Sequence, residues 1–456
     1  MADADLYTLT SDTVETPPRA LGAALKRIGP GMVLAASIVG SGELIATTTL
    51  GAQVGYLALW IIVVSCVIKP VVQGELGRYT IATGETALEA FAHVPGPRVP
   101  GTGGRVNWLV ACWLLTVLLS LLQVGGMFGG VAQVLNLLVP AVSVNLWVGI
   151  CLALTLALLL GGGYSRIEKL AVIKVSFFTI LTVCAAAVLL WTPGAVSPHD
   201  LAQGMALHFP TGGLATAIAV FGITGVGATE LVMYPYWCIE KGYARYTGPR
   251  DGSAAWLPRA RGWIRVMHLD IACSLIIYTL ATLAFYLLGA GVLHKAGLIP
   301  KASDMIATLS RLYTDTLGGW ALWLFYAGAV ITLYGTVFAS TAAHARVTAD
   351  LVRMGGGFAR ADGAARGRWR DINTVILATV PAIFYWTIGS PVRMVVAGGL
   401  AQALMLPLIG GAAVYLRHRR VPVDLQPAPL TTAALWLSAI VMTSAALYYL
   451  GAQLRG

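Results

Sequence analysis

The chain has 456 residues, of which 57% are hydrophobic and only 11% are charged, and its formal net charge is +10. A soluble domain carries roughly 25% charged residues, so this composition excludes a soluble globular protein. Repeated apolar stretches of about 20 residues instead indicate a polytopic helical membrane protein, and the mean hydropathy of +0.76 agrees with that class.

The chain begins with a polar, partly acidic segment, 1–28, which predicts a cytosolic tail rather than a cleavable signal peptide. Eleven apolar windows follow, and each is long enough to predict a membrane span. The predicted spans, numbered one to eleven, cover 29–50, 54–77, 107–139, 144–161, 170–191, 213–238, 266–291, 318–341, 373–389, 391–415 and 430–452.

Positive charge is distributed unequally over the segments between the spans. Of the 30 Lys and Arg residues, 23 fall on the same side as the N-terminus and five fall on the other side. Lys and Arg concentrate on the cytosolic side of membrane proteins. The pattern predicts a multi-pass protein of the cell (plasma or inner) membrane with a cytoplasmic N-terminus and an outside C-terminus. It also accounts for the net charge without a nucleic-acid partner.

Two similar motifs, GSGEL at 40–44 and GATEL at 227–231, lie near the middle of spans one and six. Spans one and six are the first spans of two consecutive blocks of five. Because each block has an odd number of spans, the second block begins on the opposite side of the membrane and has the opposite orientation. We therefore predict an all-α polytopic membrane protein built as a 5+5 inverted repeat. The first repeat would cover 29–191 and the second 213–415, with a peripheral eleventh span at 430–452.

Both motifs contain residues that interrupt a helix at membrane depth. Glycine tolerates unwinding, and proline cannot continue the backbone hydrogen bonds of a helix. The interrupting residues are Gly40, Ser41 and Gly42 in span one and Gly222, Gly225, Gly227 and Pro235 in span six. Interrupted helices in transporters place freed backbone groups around a binding cavity, and we expect the same arrangement here.

Glu43 and Glu230 fall in the first turn of the two resumed half-helices. A carboxylate at membrane depth is costly and indicates a functional site. One interpretation is that both converge on a shared cavity, as cation ligands or as acceptors of a coupling proton. The alternative is that each carboxylate only caps a half-helix N-terminus. Because Ser or Thr can cap at a lower desolvation cost, the pair of glutamates favours the first interpretation.

Several stretches resemble the Nramp family of proton-coupled divalent-metal transporters, which have the LeuT-type fold. The similar stretches cover most of the chain and include GPGMVLAAS, GAQVGYLALW, GRYTIATGE, GYSRIEKLAVI and LMLPLIGG. The resemblance implies a LeuT-type 5+5 inverted repeat with 11 transmembrane helices. It also implies a substrate site between the interruptions of spans one and six, and alternating access by rocking of spans one, two, six and seven.

The chain departs from the family in the motif residues themselves. The family's Asp-Pro-Gly-Asn motif falls on 40–43, which places Gly40 where the metal-binding Asp is expected and Glu43 where the Asn is expected. The family's Met-Pro-His falls on 234–236 in one alignment, whereas another alignment puts its Met on Leu231, and both stay open. Span three has no acidic residue for proton relay. The resemblance therefore supports the fold but predicts an atypical site.

The predicted substrate-binding residues come from the two interruptions and are Gly40, Ser41, Gly42, Glu43, Gly227, Thr229, Glu230 and Tyr234. Polar side chains nearby are candidates for the ion pathway, namely Ser37, Thr47, Gln123, Tyr236, Gln402 and Lys69. An all-oxygen ligand set suits a hard cation such as Mg²⁺ or Mn²⁺. We therefore predict a secondary transporter of a divalent cation that works as a monomer in the lipid bilayer, with Glu43 and Glu230 as the candidates for proton coupling.

Two lysines inside predicted spans support an alternative substrate. Lys69 in span two and Lys174 in span five would offer positive charge to a small anion, such as bicarbonate or a carboxylate, or to a metal–anion complex. Half-helix N-termini also attract anions. The competing interpretation is that both lysines snorkel toward the cytosol, which places the anion hypothesis second.

Catalysis is not indicated by the motifs of the spans. They contain no HExxH, no GxSxG and no Ser/His/Asp cluster, so we expect neither an enzyme nor a cofactor. Asp270, near the cytosolic end of span seven, is expected to form an interfacial salt bridge with Arg265.

Overall fold

The computed structural model describes residues 6–40, 42–160, 164–210, 212–302 and 304–455, without the side chains of 164–177. Ser41 and the side chain of Lys174 therefore lie outside the described residues. The described part is built of helices, and nine of them are long and apolar enough to cross a bilayer. These are Pro30–Val54, Leu59–Thr83, Trp108–Leu138, Leu214–Lys241, Trp256–His294, Ala321–Met354, Gly363–Ile388, Pro391–Arg419 and Pro429–Arg455. A shorter apolar helix covers Val144–Leu159, and a helix of 28 residues covers Tyr164–Trp191.

Each of the eleven windows found from hydropathy falls on one of these helices. The largest differences occur where a helix continues beyond its apolar window. The helix of span seven begins at Trp256, that of span eight ends at Met354, and that of span nine begins at Gly363. Hydropathy falls where charged side chains begin, whereas the backbone hydrogen bonds of a helix continue through polar residues into the membrane interface.

Span one is divided into two half-helices at Val39 and Gly40. Half-helix 1a covers Pro30–Ile38, and the backbone leaves the helical conformation at Val39, where ψ is 83°. Half-helix 1b begins with wide π-helical turns over Gly42–Thr47 and continues as an α-helix over Thr48–Val54. The division lies at the GSGEL motif, where the glycines predict it.

Span six is divided in the same way, between half-helix 6a at Leu214–Ile223 and half-helix 6b at Ala228–Lys241. Gly225 lies in the connection with φ at +65°, a conformation that strains any residue with a Cβ atom. A Cβ atom at Gly225 would also lie 2.8 Å from the carbonyl oxygen of Ser65 in span two. Glycine is therefore needed here both for the turn and for the close approach of span two.

Spans one and six occupy the centre of the bundle. In each of them 94% of the most apolar window is buried inside the protein, compared with 28% in span eleven. Span eleven packs against spans two and ten, at the edge of the bundle. The central position of the two interrupted spans keeps their free backbone N–H and C=O groups away from lipid. This is necessary because lipid cannot form hydrogen bonds with such groups. The repeat boundaries at 29–191 and 213–415 stay a prediction.

Asp270 of span seven connects three of the central helices. Its carboxylate accepts hydrogen bonds from the backbone N–H groups of Gly29 at 2.9 Å and Gly31 at 2.6 Å, and from the hydroxyl of Tyr234 at 3.0 Å. The predicted salt bridge with Arg265 is therefore wrong, and Arg265 donates to the carbonyl of Pro18 instead. The reason is that the first N–H groups of half-helix 1a have no acceptor within their own helix, and the fully buried Asp270 supplies it.

Candidate ion-binding site

Glu43 lies in the first turn of half-helix 1b and is fully buried. Its Oε2 accepts a hydrogen bond from the backbone N–H of Gly40 at 3.3 Å, and its Oε1 accepts one from the hydroxyl of Thr282 in span seven at 3.1 Å. The contact with Gly40, three residues earlier, has the geometry of a helix cap. The contact with Thr282 ties the carboxylate to span seven as well.

Glu230 lies at the corresponding position of half-helix 6b and is 8% exposed. Its Oε1 accepts from the hydroxyl of Ser37 in half-helix 1a at 3.2 Å, and its Oε2 accepts from the hydroxyl of Thr229 at 2.8 Å. The carboxylate of Glu230 thus spans the space between the two interrupted helices. Glu43 is near enough to Glu230 for the two carboxylates to repel each other.

A chain of polar contacts continues from Glu230 into spans ten and three. The side-chain oxygen of Gln402 lies 3.0 Å from the hydroxyl of Thr229 and 3.3 Å from its backbone N–H, and the Gln402 amide donates to the Gln123 oxygen at 2.8 Å. A hydroxyl has one proton, so Thr229 donates to either Glu230 or Gln402 at any moment. The contacts hold Glu230 in a network that can rearrange when a ligand arrives.

A narrow polar cavity lies beside this network, with room for about one water molecule. It is lined by polar side chains from spans one, three, six, eight and ten, together with two apolar ones. The lining residues are Ser37, Ser120, Gln123, Val124, Met127, Thr229, Glu230, Thr336, Ser340, His344 and Gln402. Among the described residues Glu230 is the one carboxylate that lines it. An oxygen-rich cavity of this size fits a bare or nearly dehydrated metal ion.

Several predicted site residues lie away from the cavity. Tyr234 donates to Asp270, and Tyr236 donates to Asp350 at 2.8 Å. These tyrosines follow Glu230 by four and six residues, which moves them about 6–9 Å along half-helix 6b. The hydroxyl of Thr47 donates to the carbonyl of Gly42 at 2.9 Å, so it satisfies a backbone group of half-helix 1b.

Gly40 stands where the related family motif has its metal-binding Asp, and its surroundings explain the difference. A Cβ atom at Gly40 would lie 2.8 Å from the Cβ of Thr336 in span eight, and it would overlap the Thr336 hydroxyl. Gly42 is less restricted, since its nearest neighbour is Ile223 at 3.6 Å. The space of an Asp side chain at position 40 is thus occupied by Thr336, a lining residue of the cavity.

Lys69 is fully buried and reaches the interruption of span six. Its ammonium group donates to the Ser65 hydroxyl at 2.9 Å, to the carbonyl of Thr224 at 2.7 Å and to the carbonyl of Phe221. The snorkelling interpretation is therefore wrong. The last carbonyls of half-helix 6a have no N–H partner in their own helix, and two of the three donors of the ammonium group satisfy that end.

A polar cluster joins half-helix 6b to span eight at the end of the bundle rich in arginine. Arg346 forms an ion pair with Glu240 at 2.8 Å, and Tyr7 of the N-terminal segment donates to the same carboxylate at 3.0 Å. Next to it, Tyr236 donates to Asp350. These contacts close the bundle on that side of the cavity.

Span eight contributes three lining residues that are not among the site residues predicted from sequence. Thr336, Ser340 and His344 follow one another at intervals of four, which places them on one face of a helix. A polar stripe with this spacing in an apolar span is a signal that the sequence does contain.

Gly227→Ala is expected to weaken ion transport strongly. A Cβ atom at this position would lie 2.7 Å from the side-chain oxygen of Gln402 and would overlap Oε2 of Glu230. The carboxylate must then move out of its network. The measurement is ion uptake into proteoliposomes, with Gly411→Ala in span ten as the matched control, since no atom lies within 4 Å of a Cβ there. Equal uptake by both variants would show that the position of Glu230 does not matter.

The fold and the site together define a class of protein. A membrane-embedded helical bundle, with two central spans interrupted around a polar cavity, has the architecture of secondary transporters of the LeuT type. The chain is similar in structure to the manganese transporter of Eremococcus coleocola, in one of its mutants, with a TM-score of 0.70 over 98% of this chain and 91% of that one. It is also similar to Mhp1, a nucleobase-cation-symport-1 family transporter, with a TM-score of 0.57 over 92% of each chain. Both are 16% identical to this chain, so the likeness shows the fold.

The chain belongs to the Nramp family, because the family's sequence profile, described as natural resistance-associated macrophage protein-like, matches residues 31–452. It is accordingly a membrane transporter and not an enzyme. PM0681, an uncharacterised protein of Pasteurella multocida, is 24% identical over 76% of this chain and 75% of that protein. The divalent metal cation transporter MntH of Mycobacterium leprae is 26% identical over 66% of this chain, and the match spans 65% of that relative's length.

Proposed function

We propose that this protein is a secondary transporter that moves a divalent cation of the Mg²⁺ or Mn²⁺ type across the cell membrane, with the ion bound in the cavity beside Glu230. The observation that carries the proposal is the buried Glu230 carboxylate between half-helices 1a and 6b, facing hydroxyl and amide oxygens. Oxygen ligands with a carboxylate suit hard divalent cations. The names of the related proteins, a divalent metal cation transporter and a manganese transporter, support the same substrate class.

The ionisable groups around the two interruptions favour a cation when both glutamates are ionised. Glu43, Glu230 and Lys69 are near enough to interact electrostatically, and with both carboxylates ionised their sum is negative. A negative, water-poor site attracts divalent cations and repels anions. Protonation of one glutamate would remove that attraction, which gives a physical route to proton coupling through Glu43 or Glu230.

The hydrogen bonds of Lys69 argue against the alternative that the substrate is an anion. All three donors of its ammonium group are directed at acceptors of the protein, so none is left for a carboxylate or bicarbonate. Among the described residues that line the cavity there is no lysine or arginine. We therefore propose a cation and not an anion as the substrate.

Alternating access would require the polar cluster between half-helix 6b and span eight to open and close. With the N-terminus in the cytosol, as the distribution of Lys and Arg predicts, this cluster would close the cytosolic side. Separation of Glu240 from Arg346 and of Tyr236 from Asp350 would then release the ion into the cell. One chain contains both interrupted spans, so we propose that the monomer is sufficient for transport.

The experiment that tests the proposed function is uptake into proteoliposomes containing the purified protein. Mn²⁺, Mg²⁺ and bicarbonate are offered separately, while the internal pH is recorded. The expected result is saturable influx of a divalent cation, accompanied by internal acidification if protons move with it. Flux that depends on bicarbonate, without influx of either divalent cation, would contradict the proposal.

A further inference from the structure

His344 of span eight lines the cavity on which the proposed function rests, and its side chain is almost completely buried, with 2% of the residue exposed. It is the one imidazole among the described residues that line the cavity. The same cavity contains the carboxylate of Glu230 and the side chain of Met127. A buried histidine in an ion-sized cavity is either satisfied by the protein or available to a ligand.

The hydrogen bonds of His344 show which of its nitrogens is available. Nδ1 lies 2.8 Å from the backbone carbonyl oxygen of Ser340, and 3.2 Å from the Ser340 hydroxyl. A carbonyl only accepts, so Nδ1 has to carry the proton. In the neutral imidazole Nε2 then has a free lone pair, and among the described residues this buried nitrogen has no hydrogen-bond partner. A buried acceptor without a partner is unfavourable unless something binds there.

The arrangement matches that of histidines that bind metal ions. A metal-binding imidazole is neutral, and its other nitrogen commonly donates to a backbone carbonyl, which fixes the ring orientation. Imidazole nitrogen binds first-row transition metals with an affinity that rises from Mn²⁺ through Fe²⁺ to Co²⁺, whereas Mg²⁺ prefers oxygen ligands. In the described part of the chain no three His, Cys, Asp or Glu side chains converge on one point. Any coordination here must therefore combine His344 and Glu230 with neutral oxygens or water.

We propose that Nε2 of His344 binds the transported ion and makes the protein selective for transition-metal ions over Mg²⁺. The inference rests on the proposed function and deepens it, because it names the class of divalent cation. Glu230 supplies the negative charge from one side of the cavity, and His344 supplies the nitrogen that distinguishes a transition metal from Mg²⁺. The thioether of Met127, which lines the same cavity, adds a soft group on the side of span three.

The test compares uptake of Co²⁺, Mn²⁺ and Mg²⁺ by the wild-type protein and by His344→Gln. Loss of a metal-binding nitrogen is expected to raise the KM for Co²⁺ by about tenfold or more, the KM for Mn²⁺ by a smaller factor, and the KM for Mg²⁺ hardly at all. His418→Gln is the matched control, since His418 is exposed at the end of span ten and contacts Trp436. It should leave all three values unchanged.

A spectroscopic readout keeps the inference testable if His344→Gln does not fold. Pulsed electron paramagnetic resonance of Mn²⁺ bound to the wild-type protein should show coupling to a directly bound imidazole nitrogen, and a folded His344→Gln variant should lose it. Absence of nitrogen coupling in the wild type overturns the inference, as does a variant with unchanged KM values. A variant that changes only the pH profile, with the ion ratios kept, also overturns it in favour of proton transfer. If the wild type takes up none of the three ions, the proposed function itself fails.

Discussion

Glu230→Gln is expected to reduce divalent-cation uptake by about 10- to 100-fold or more. Changes to residues that only support the ligands of a metal site already reduce metal affinity or activity by about that factor. Gln keeps the shape of the side chain, and its amide can accept from one of the hydroxyls of Ser37 and Thr229 and donate to the other. It removes the negative charge of the one carboxylate lining the cavity in the described part of the chain. The measurement is initial uptake into proteoliposomes over a range of ion concentrations, with Glu15→Gln as the control. Glu15 lies outside the spans in a surface ion pair with Arg27.

The same assay separates the roles of the two glutamates. Glu43 does not line the cavity, and an amide at position 43 can accept from the N–H of Gly40 with its oxygen and donate to the hydroxyl oxygen of Thr282 with its NH2 group. Glu43→Gln is therefore expected to keep ion influx and to lose the accompanying acidification, if Glu43 carries the coupling proton. Normal uptake and normal acidification in both Gln variants would contradict a functional role, and the glutamates would then be helix caps only.

Lys69→Met is expected to destabilise the protein. Met fills similar space but removes the ammonium group, so the carbonyls of Phe221 and Thr224 must share the single hydroxyl proton of Ser65 and one of them is left without a donor. Each buried polar group left without a partner costs about 1–3 kcal/mol. The measurement is thermal unfolding in detergent, where the variant should unfold several degrees below the wild type.

The control for Lys69→Met is Lys301→Met, since Lys301 is exposed in the loop after span seven. This variant should unfold at the temperature of the wild type. If Lys69→Met unfolds there too, the ammonium group does not stabilise the interruption of span six. A role of Lys69 as a binding group for a small anion would then have to be considered again.

The positions of the interrupted helices could be predicted from sequence because glycine and a first-turn carboxylate leave a local signal. The interruptions lie at Gly40, inside the first motif, and at Gly225, two residues before the second motif. The different surroundings of Glu43 and Glu230 could not be predicted in this way. Both occupy equivalent places in their half-helices, but Thr282 of span seven meets one and Ser37 of span one meets the other. Such pairings depend on how distant spans pack.

The role of Lys69 shows the same limit. In the sequence Lys69 lies near the end of an apolar span, and a lysine in that position is ordinarily expected to extend toward the membrane surface. Its partners are carbonyls that become free only because another span is interrupted more than 150 residues later. By contrast, the face formed by Thr336, Ser340 and His344 could have been found from its spacing alone. Thr336 and Ser340 lie inside the predicted span eight, and His344 follows three residues after its predicted end, at the same spacing.

The location of a bound ion tests the central claim most directly. Crystals of the protein grown with Mn²⁺ and measured at an X-ray energy where manganese scatters anomalously would show where the ion lies. The account predicts one main peak in the cavity, within roughly 2.0–2.6 Å of a Glu230 carboxylate oxygen, the range of oxygen ligands around hard divalent cations. A main peak away from this cavity, or no bound manganese under conditions in which the protein transports it, would contradict the account.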